Sequence, residues 1–550
     1  MSNQLPSAPS DGLNQRMIFW ACFVALAATA AVLVIRGQVI GAWAKEFHLT
    51  ETQKGEILGV GLWPFAVTIV LFSLVVDRFG YGHSLMFAFT CHIASTVVLL
   101  MAKGYWWLYI GTMLVSLGNG AAQAVIDPVV ASMFTRDKTK WLNILHASWP
   151  AGLVFGGVFG IAIASYGPDL NWRWRIAMLL IPMVAYGVMV FRRKFPVHER
   201  VAAGVSYKEM LKETGAIGML LVLVLMFGEI GRVVNTYCAP AGVENPVPVW
   251  PWWGSGILAV AVSAVYGWYT RSLGQPMFLF LLVLMIPLAT TELGTDSWIT
   301  DLMESQMKDL VLNAGWVLVY TSFIMMVLRF CAGPIVKALS PLGLLLVSSL
   351  IAAIGLVALS VSTGIMILLA ATLYGFGKTY LWPTMLGIVA ERFPKGGALS
   401  LNVTSAAGMM SVGVLGAVFM GLIQDRAVER ELKQKEPALH QQIVTQKESV
   451  VGTYLAVDPK RKDSLPKEQK ETLAALTQQG NKGALATVAI LPVTMFLGYL
   501  GLMIYFRMRG GYKVVHLIQP AGDEEPGVVR TAGQGEQEQT KAGSGAGPDT

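Results

Sequence analysis

Three features of the chain predict an all-α protein that crosses a membrane many times. Hydrophobic residues make up 54% and charged residues 14% of 550 positions, with a mean hydropathy of +0.56, too apolar for a water-soluble chain of this length. The apolar residues fall into stretches of ~20, the length that crosses a hydrocarbon core roughly 30 Å thick, and each stretch is bounded by charge, Gly or Pro. Basic residues concentrate on alternate connections, the pattern expected when positive flanks resist translocation.

Fourteen spans are predicted, near 17–44, 54–76, 83–102, 105–134, 141–166, 173–191, 216–238, 253–270, 276–303, 312–338, 342–361, 365–391, 397–423 and 484–506. With the N-terminus inside, the inner flanks carry eighteen basic residues, from Arg16 and Arg78 through the 136–140 cluster to Arg507, Arg509 and Lys513, against six outside. Both termini are therefore expected in the cytoplasm. The formal charge of +7 follows from this topology and is no nucleic-acid footprint. No cleavable signal is expected, since residues 1–15 are polar and the apolar run after Arg16 is too long for a signal-peptide core. Cys22, Cys91, Cys238 and Cys331 show no paired spacing and predict neither a disulfide nor a metal site; no cofactor is expected.

The chain repeats itself. GAAQAVIDP (Gly120 to Pro128) and GFGKTYLWP (Gly375 to Pro383) both place a Gly eight residues before a Pro. Each is followed by a short basic loop, TRDKTK or ERFPKGG, and then by a helix containing LNILHA (142–147) or LNVTSA (401–406). SLVVDRFGYGHSL (73–85) corresponds in position to GPIVKALSPLGLL (333–345). Duplicated six-helix halves are a transporter signature, because a solute site forms where the repeats meet.

On these residues, with WRWR (172–175) and TELGTDSWITDL (291–302), the chain resembles the major facilitator superfamily, and within it the fucose permease-like branch. The resemblance implies two six-helix bundles and proton-coupled movement of a sugar or similar compound, with Asp77 and Arg78 of the DRFG loop in a gate. The chain departs from that family at Ser73 and at Tyr81-Gly82-His83, where the loop motif has a leading Gly and trailing basic residues. It also has Gln123 and Asp127-Pro128 where fucose permeases place a carboxylate and Asn-Pro.

If 291–302 belongs to the seventh family helix, 216–238 and 253–270 are an inserted pair. The expected organisation is a disordered cytoplasmic segment 1–15, a bundle 16–195, a linker with two extra helices 196–275, five helices of the second bundle 276–423, an external loop 424–483, the last helix 484–508 and a disordered cytoplasmic tail 509–550. Glu229 and Arg232, three apart, are expected to pair on one helix face.

Polar groups inside spans are costly, so each is a candidate for function. Ser116, Gly120, Gln123 and Asp127 share a stripe, with Asn119 nearby. Asp127 and His146 lie about 10 Å and 8 Å from their helix ends, at similar depth on adjacent helices. They are read as a proton-responsive pair or gate, the alternative being a static hydrogen bond. Trp149 is a stacking candidate. In the second half Tyr374, Lys378 and Trp382 share a face, with Glu292 and Asp296 as counter-charges, Arg36 as a second cation, and Asn402 as a cavity amide.

The overall reading is a secondary transporter of the inner membrane, monomeric, with protons and a small solute as partners. A small organic anion is the competing substrate, and a sensor or scaffold the competing class. Nothing resembling HExxH, GxSxG or a P-loop assigns catalysis or ATP use.

Overall fold

A computed structural model describes residues 12–166, 171–238, 248–295, 315–364, 366–449 and 452–517. Its first half contains α1 (Gly12–Phe47), α2 (Glu51–Val60), α3 (Trp63–Phe79), α4 (Tyr81–Leu100), α5 (Tyr105–Met133), α6 (Lys138–His146), α7 (Ser148–Tyr166), α8 (Arg173–Ala177) and α9 (Leu180–Val190). Local chemistry sets the breaks. Thr50 and Gln53 form a capping box that starts α2, satisfying N–H groups that have no helical acceptor.

The short α10 (Glu199–Ala202) leads to α11 (Tyr207–Cys238) and α12 (Trp252–Thr270), which pack as a pair. Gly215 kinks α11 with φ 60°, and a Cβ there would lie 1.9 Å from the Gly274 nitrogen. Only glycine fits that crossing. Ala216 N–H and Ile217 N–H then donate to Ser272 and Leu273 carbonyls, tying the inserted pair together. As expected, Arg232 and Glu229 pair at 2.5 Å.

The second half comprises α13 (Pro276–Ala289), α14 (Gly315–Phe330), α15 (Ala332–Val361), α16 (Met366–Lys378), α17 (Leu381–Arg392), α18 (Gly397–Met410), α19 (Ala417–Lys435), α22 (Lys467–Val488) and α23 (Ile490–Met508). Two π-helical turns interrupt it, Thr290–Gly294 after α13 and Ser411–Gly416 after α18. The 424–483 region is more than a solvated loop. There α19 runs on to Lys435, and α20 (Pro437–Ile443), the antiparallel β1 (Val444–Ser449) and β2 (Gly452–Val457), α21 (Pro459–Asp463) and α22 enclose a small core of Val428, Leu432, Leu439, Ile443, Leu465, Leu473 and Leu476.

Among the described residues ten helices are long and apolar enough to cross a membrane, against fourteen expected. Of the four expected spans outside that set, α12 mixes Trp, Tyr, Gly and Ser into its apolar run, 365–391 is divided at Thr379–Tyr380, and 312–338 lies partly outside the described residues. The halves meet through α7 on α14, α3 and α5 on α18, and α6 on α17.

Helices α1 and α7 approach closely because Gly152, Gly156 and Gly160 face α1, the small-residue mode of membrane packing. A Cβ on Gly152 would sit 2.1 Å from the Ala27 carbonyl oxygen. Gly152→Val is therefore expected to destabilise the protein by about 1–3 kcal/mol, read as a lower melting temperature in detergent. Gly41→Ala, with open space around it, should leave melting unchanged or raise it.

Candidate functional site

A proline inside a helix lacks the N–H that would bond the carbonyl four residues earlier. Pro128, inside α5, thereby releases the Ala124 carbonyl, and Pro150 and Pro383, in the first turns of α7 and α17, supply no N–H to the carbonyls of His146 and Thr379 at the α6–α7 and α16–α17 breaks. Leaving such a group buried and unpaired costs about 1–3 kcal/mol. Each receives a side-chain donor instead. Asn402 Nδ2 donates to Ala124 O at 2.9 Å, Arg329 Nη1 to His146 O at 2.8 Å, and Arg329 Nε to Thr379 O at 2.7 Å.

Arg329, wholly buried on α14, spends its remaining arm on Glu292 Oε1 at 2.6 Å. The other oxygen of Glu292 accepts the Trp382 backbone N–H at 2.8 Å, a first-turn donor of α17 that no helical carbonyl serves. Glu292 projects from the first π turn; such turns interrupt the regular ladder and recur at functional sites. On the first-half side, Asp127 Oδ1 lies 2.9 Å from His146 Nε2, and Gln123 Nε2 donates to Asp127 Oδ2 at 2.7 Å.

Between these clusters lies a cavity of about 30 Å³, room for a water molecule but for no solute. Gln123, His146, Trp149 and Phe65 form one wall, and Glu292, Arg329, Trp382, Leu293 and Met409 the other. A second cavity of about 500 Å³ lies towards the α2–α3 break and Gln424, away from the DRFG loop, and includes Met226 and Glu229 of the inserted α11. Leu293 and Met409 line both cavities, so these two side chains separate them.

The DRFG side is shut. Lys138 Nζ pairs with Glu199 Oε2 at 2.6 Å and donates to Ala390 O at 3.2 Å, while Thr139 Oγ1 donates to Glu391 Oε1 at 2.5 Å. Asn143 Nδ2 reaches Thr384 Oγ1 at 3.1 Å. Asp77 accepts from Arg200 at 2.5 Å and from Tyr81 at 3.2 Å, and Arg78 lies over the Tyr207 ring at 4.8 Å. Burial pushes the Glu199 carboxyl up, but Lys138, the Leu517 N–H and His198 together outweigh it and the group ends below the usual carboxylate range. Burial lowers the neighbouring His198 from 6.5 to about 4, with Asp77 and Glu199 opposing and Lys138 and Arg200 reinforcing the shift.

Of the residues singled out in the sequence, Gln123, Asp127, His146, Trp149, Glu292 and Trp382 converge at the centre. Tyr374 and Lys378 are buried behind Glu292: Lys378 Nζ is 3.5 Å from the Glu292 carbonyl and 5.6 Å from the Tyr374 ring centroid, and Tyr374 hydroxyl bonds Thr295 Oγ1 at 2.6 Å. Three further residues do not line the central cavity. Asn119 turns away from the cavity, 3.0 Å from His92 Nε2, because that buried imidazole, held by Tyr186 at 2.7 Å, needs a second partner. Arg36 lies apart from the centre, its guanidinium against Gly61, where the α2–α3 break leaves room. Asn402 serves a backbone carbonyl across the interface and does not line the cavity. Asp296 lies outside the described residues.

Arg329 was not singled out, although an Arg within the apolar run YTSFIMMVLRF is the signal that intramembrane charge provides. Lys138 and Arg200 were read only as topology markers, whereas both are buried in ion pairs.

Residues 17–303 match the family model of the Major Facilitator Superfamily. The chain belongs to the major facilitator superfamily and is a multi-pass membrane protein. The gentisate transporter of Corynebacterium glutamicum is 21% identical over 191 residues, 34% of this chain and 43% of that protein. A TsgA homolog of Enterobacter sp. is 22% identical over 229 residues, 40% and 56% respectively. The chain thus spans about half the length of these curated relatives. Among solved structures, the proton:xylose symporter XylE superposes with a TM-score of 0.57 at 13% identity, covering 92% of this chain and 98% of the other. The E. coli fucose:proton symporter FucP gives 0.51 at 11%, covering 88% and 98%. At these identities the likeness shows the fold alone.

Arg329→Leu leaves Glu292 buried without its ion-pair partner and is expected to cost about 3–5 kcal/mol; Arg329→Leu with Glu292→Leu should lose less, as thermal unfolding of both variants in detergent will test. The lowered His198 adds stability that is fully present above about 6.5 and is lost as pH falls towards 4, since the unfolded chain takes the proton first. Melting temperature is expected to drop between pH 7 and 5, and His198→Gln to flatten that drop.

Proposed function

We propose that the protein is a proton-coupled transporter of a sugar or related polyol, working by alternating access between its two halves. One observation carries the reading. Trp149 and Trp382 reach the same cavity from opposite halves, and the acids beside them are matched by hydrogen-bond or ionic partners, Asp127 by His146 and Gln123, Glu292 by Arg329. A charge-compensated cavity flanked by indoles suits a neutral ring with one apolar face and several hydroxyls. In this reading Gln123, Trp149, Glu292 and Trp382 bind solute. Asp127 and His146 carry the proton, passed between the imidazole and the carboxylate it touches.

The reading includes fourteen transmembrane helices: the ten long ones together with α12, α14, the α16–α17 pair and the α18–α19 pair. The DRFG side, with its excess of Lys and Arg, faces the cytoplasm of a cell's inner membrane, so both termini do as well. Helices α11 and α12 are an insertion leaning on the second half, and the protein acts as a monomer.

A small organic anion is the second reading, favoured by the Arg329 guanidinium in the cavity wall: protonation of Glu292 releases that cation for a carboxylate. The curated relative named for gentisate is in keeping with it.

In proteoliposomes, a panel of labelled sugars and small acids under an inside-alkaline gradient distinguishes the two. The sugar reading expects gradient-driven accumulation of a neutral sugar. Asp127→Asn should abolish that accumulation by tenfold or more while leaving sugar-for-sugar exchange, which needs no net proton movement. Accumulation of acids alone supports the anion reading, and no flux of any compound favours a sensor.

A further inference from the structure

After α23 the chain turns sharply through Gly510 and Gly511, both at positive φ (85° and 96°), and Gly511 N–H closes the turn on Phe506 O at 2.8 Å. Glycine takes this backbone without strain. Residues Tyr512 to Leu517 then run without helix or strand across the shut DRFG side. The Tyr512 ring stands edge-on to Phe506 at 5.4 Å, and Arg392 Nη1 donates to Lys513 O at 2.6 Å.

The two gate carboxylates divide their oxygens in the same manner. Glu391 gives Oε1 to Thr139 of the first half at 2.5 Å and Oε2 to the Tyr512 hydroxyl at 2.7 Å. Glu199 gives Oε2 to Lys138 at 2.6 Å and Oε1 to the Leu517 backbone N–H at 3.0 Å. Val515 N–H adds a bond to the Glu391 carbonyl at 2.9 Å. The segment leaves the second half through α23 yet ends on Glu199, which follows the last helix of the first half and is paired to Lys138. Separating Lys138 and Thr139 from Glu199 and Glu391 must therefore also disturb the acceptors that hold this segment.

We propose that Tyr512 to Leu517 form an autoinhibitory strap that favours the state closed on the DRFG side. The strap orients both gate carboxylates towards the first half, and its release lets that side open. The strap works through the Tyr512 hydroxyl and backbone donors; its own His516 and Lys513 side chains are exposed and make no gate bond among the described contacts.

The test places a reporter cysteine at Ser132, which lines the small space beneath Lys138, His198 and Glu199, in a full-length protein whose four native cysteines are replaced. Maleimide labelling of Ser132→Cys is slow while the gate is shut. Val515→Pro with Leu517→Pro removes the two backbone donors without shortening the chain, and Tyr512→Phe removes the hydroxyl. Each is expected to raise the labelling rate at least threefold at unchanged melting temperature, and the synthetic peptide YKVVHL added in excess should slow the double variant again. Labelling rates within error of the parent for both variants, in protein that elutes as a single species, overturn the strap. So does a rise in rate that the peptide leaves unaltered in Tyr512→Phe and in the double variant alike.

Discussion

Prolines in the central helices and at their breaks set the terms for the rest of the molecule. Each lacks the N–H that could bond the carbonyl four residues earlier, a carbonyl that water cannot reach when the halves are together. The donors that take up these carbonyls come from elsewhere in the fold: Asn402 for Ala124, and Arg329 for both His146 and Thr379. Arg329 thus bonds the backbone of both halves while pairing with Glu292. The centre is held by hydrogen bonds that helices alone would have kept to themselves.

In the transporter proposed above, that arrangement connects stability to function. Carbonyls freed by proline can change partner, from a side chain of the opposite half to water or solute, without unwinding a helix. The closed DRFG side and the collapsed 30 Å³ cavity then belong to one state, in which the two halves use each other as hydrogen-bond partners. The 500 Å³ vestibule beyond Leu293 and Met409 lies next to the two π turns, where the ladder is already irregular and bending is least costly. Opening and closing are thereby assigned to different materials: polar backbone exchange on one side, apolar side chains over irregular helix on the other.

Much of this was legible in the sequence, and the illegible part has a physical pattern. Helical periodicity and the proline-bearing repeat placed Asp127 and His146 on facing helices because depth follows from rise per residue. The same reasoning failed for Asn119 and Asn402, whose helices were correctly located but whose side chains serve His92 and the Ala124 carbonyl; rotation about a helix axis and long-range partners are not written in local spacing. Arg329 was readable as an intramembrane charge, though its three partners were not, since they lie 37, 50 and 183 residues away. Lys138 and Glu199 show the limit of composition. A basic loop looks like a topology signal until folding buries its lysine against an acid 61 residues on.

The most direct test restores what the prolines took away. With spin labels at Thr135→Cys and Lys395→Cys, distances across the DRFG side would be measured by double electron–electron resonance in nanodiscs for the parent and for Pro150→Ala with Pro383→Ala. Alanine supplies an N–H four residues after His146 and after Thr379, so those carbonyls can bond across the α6–α7 and α16–α17 breaks and Arg329 loses its hold on the backbone of both halves. The account requires the short, closed-state distance to give way to a longer population in the double variant. An unchanged distribution would contradict it, leaving the proline-freed carbonyls as passengers of a closure set by other forces.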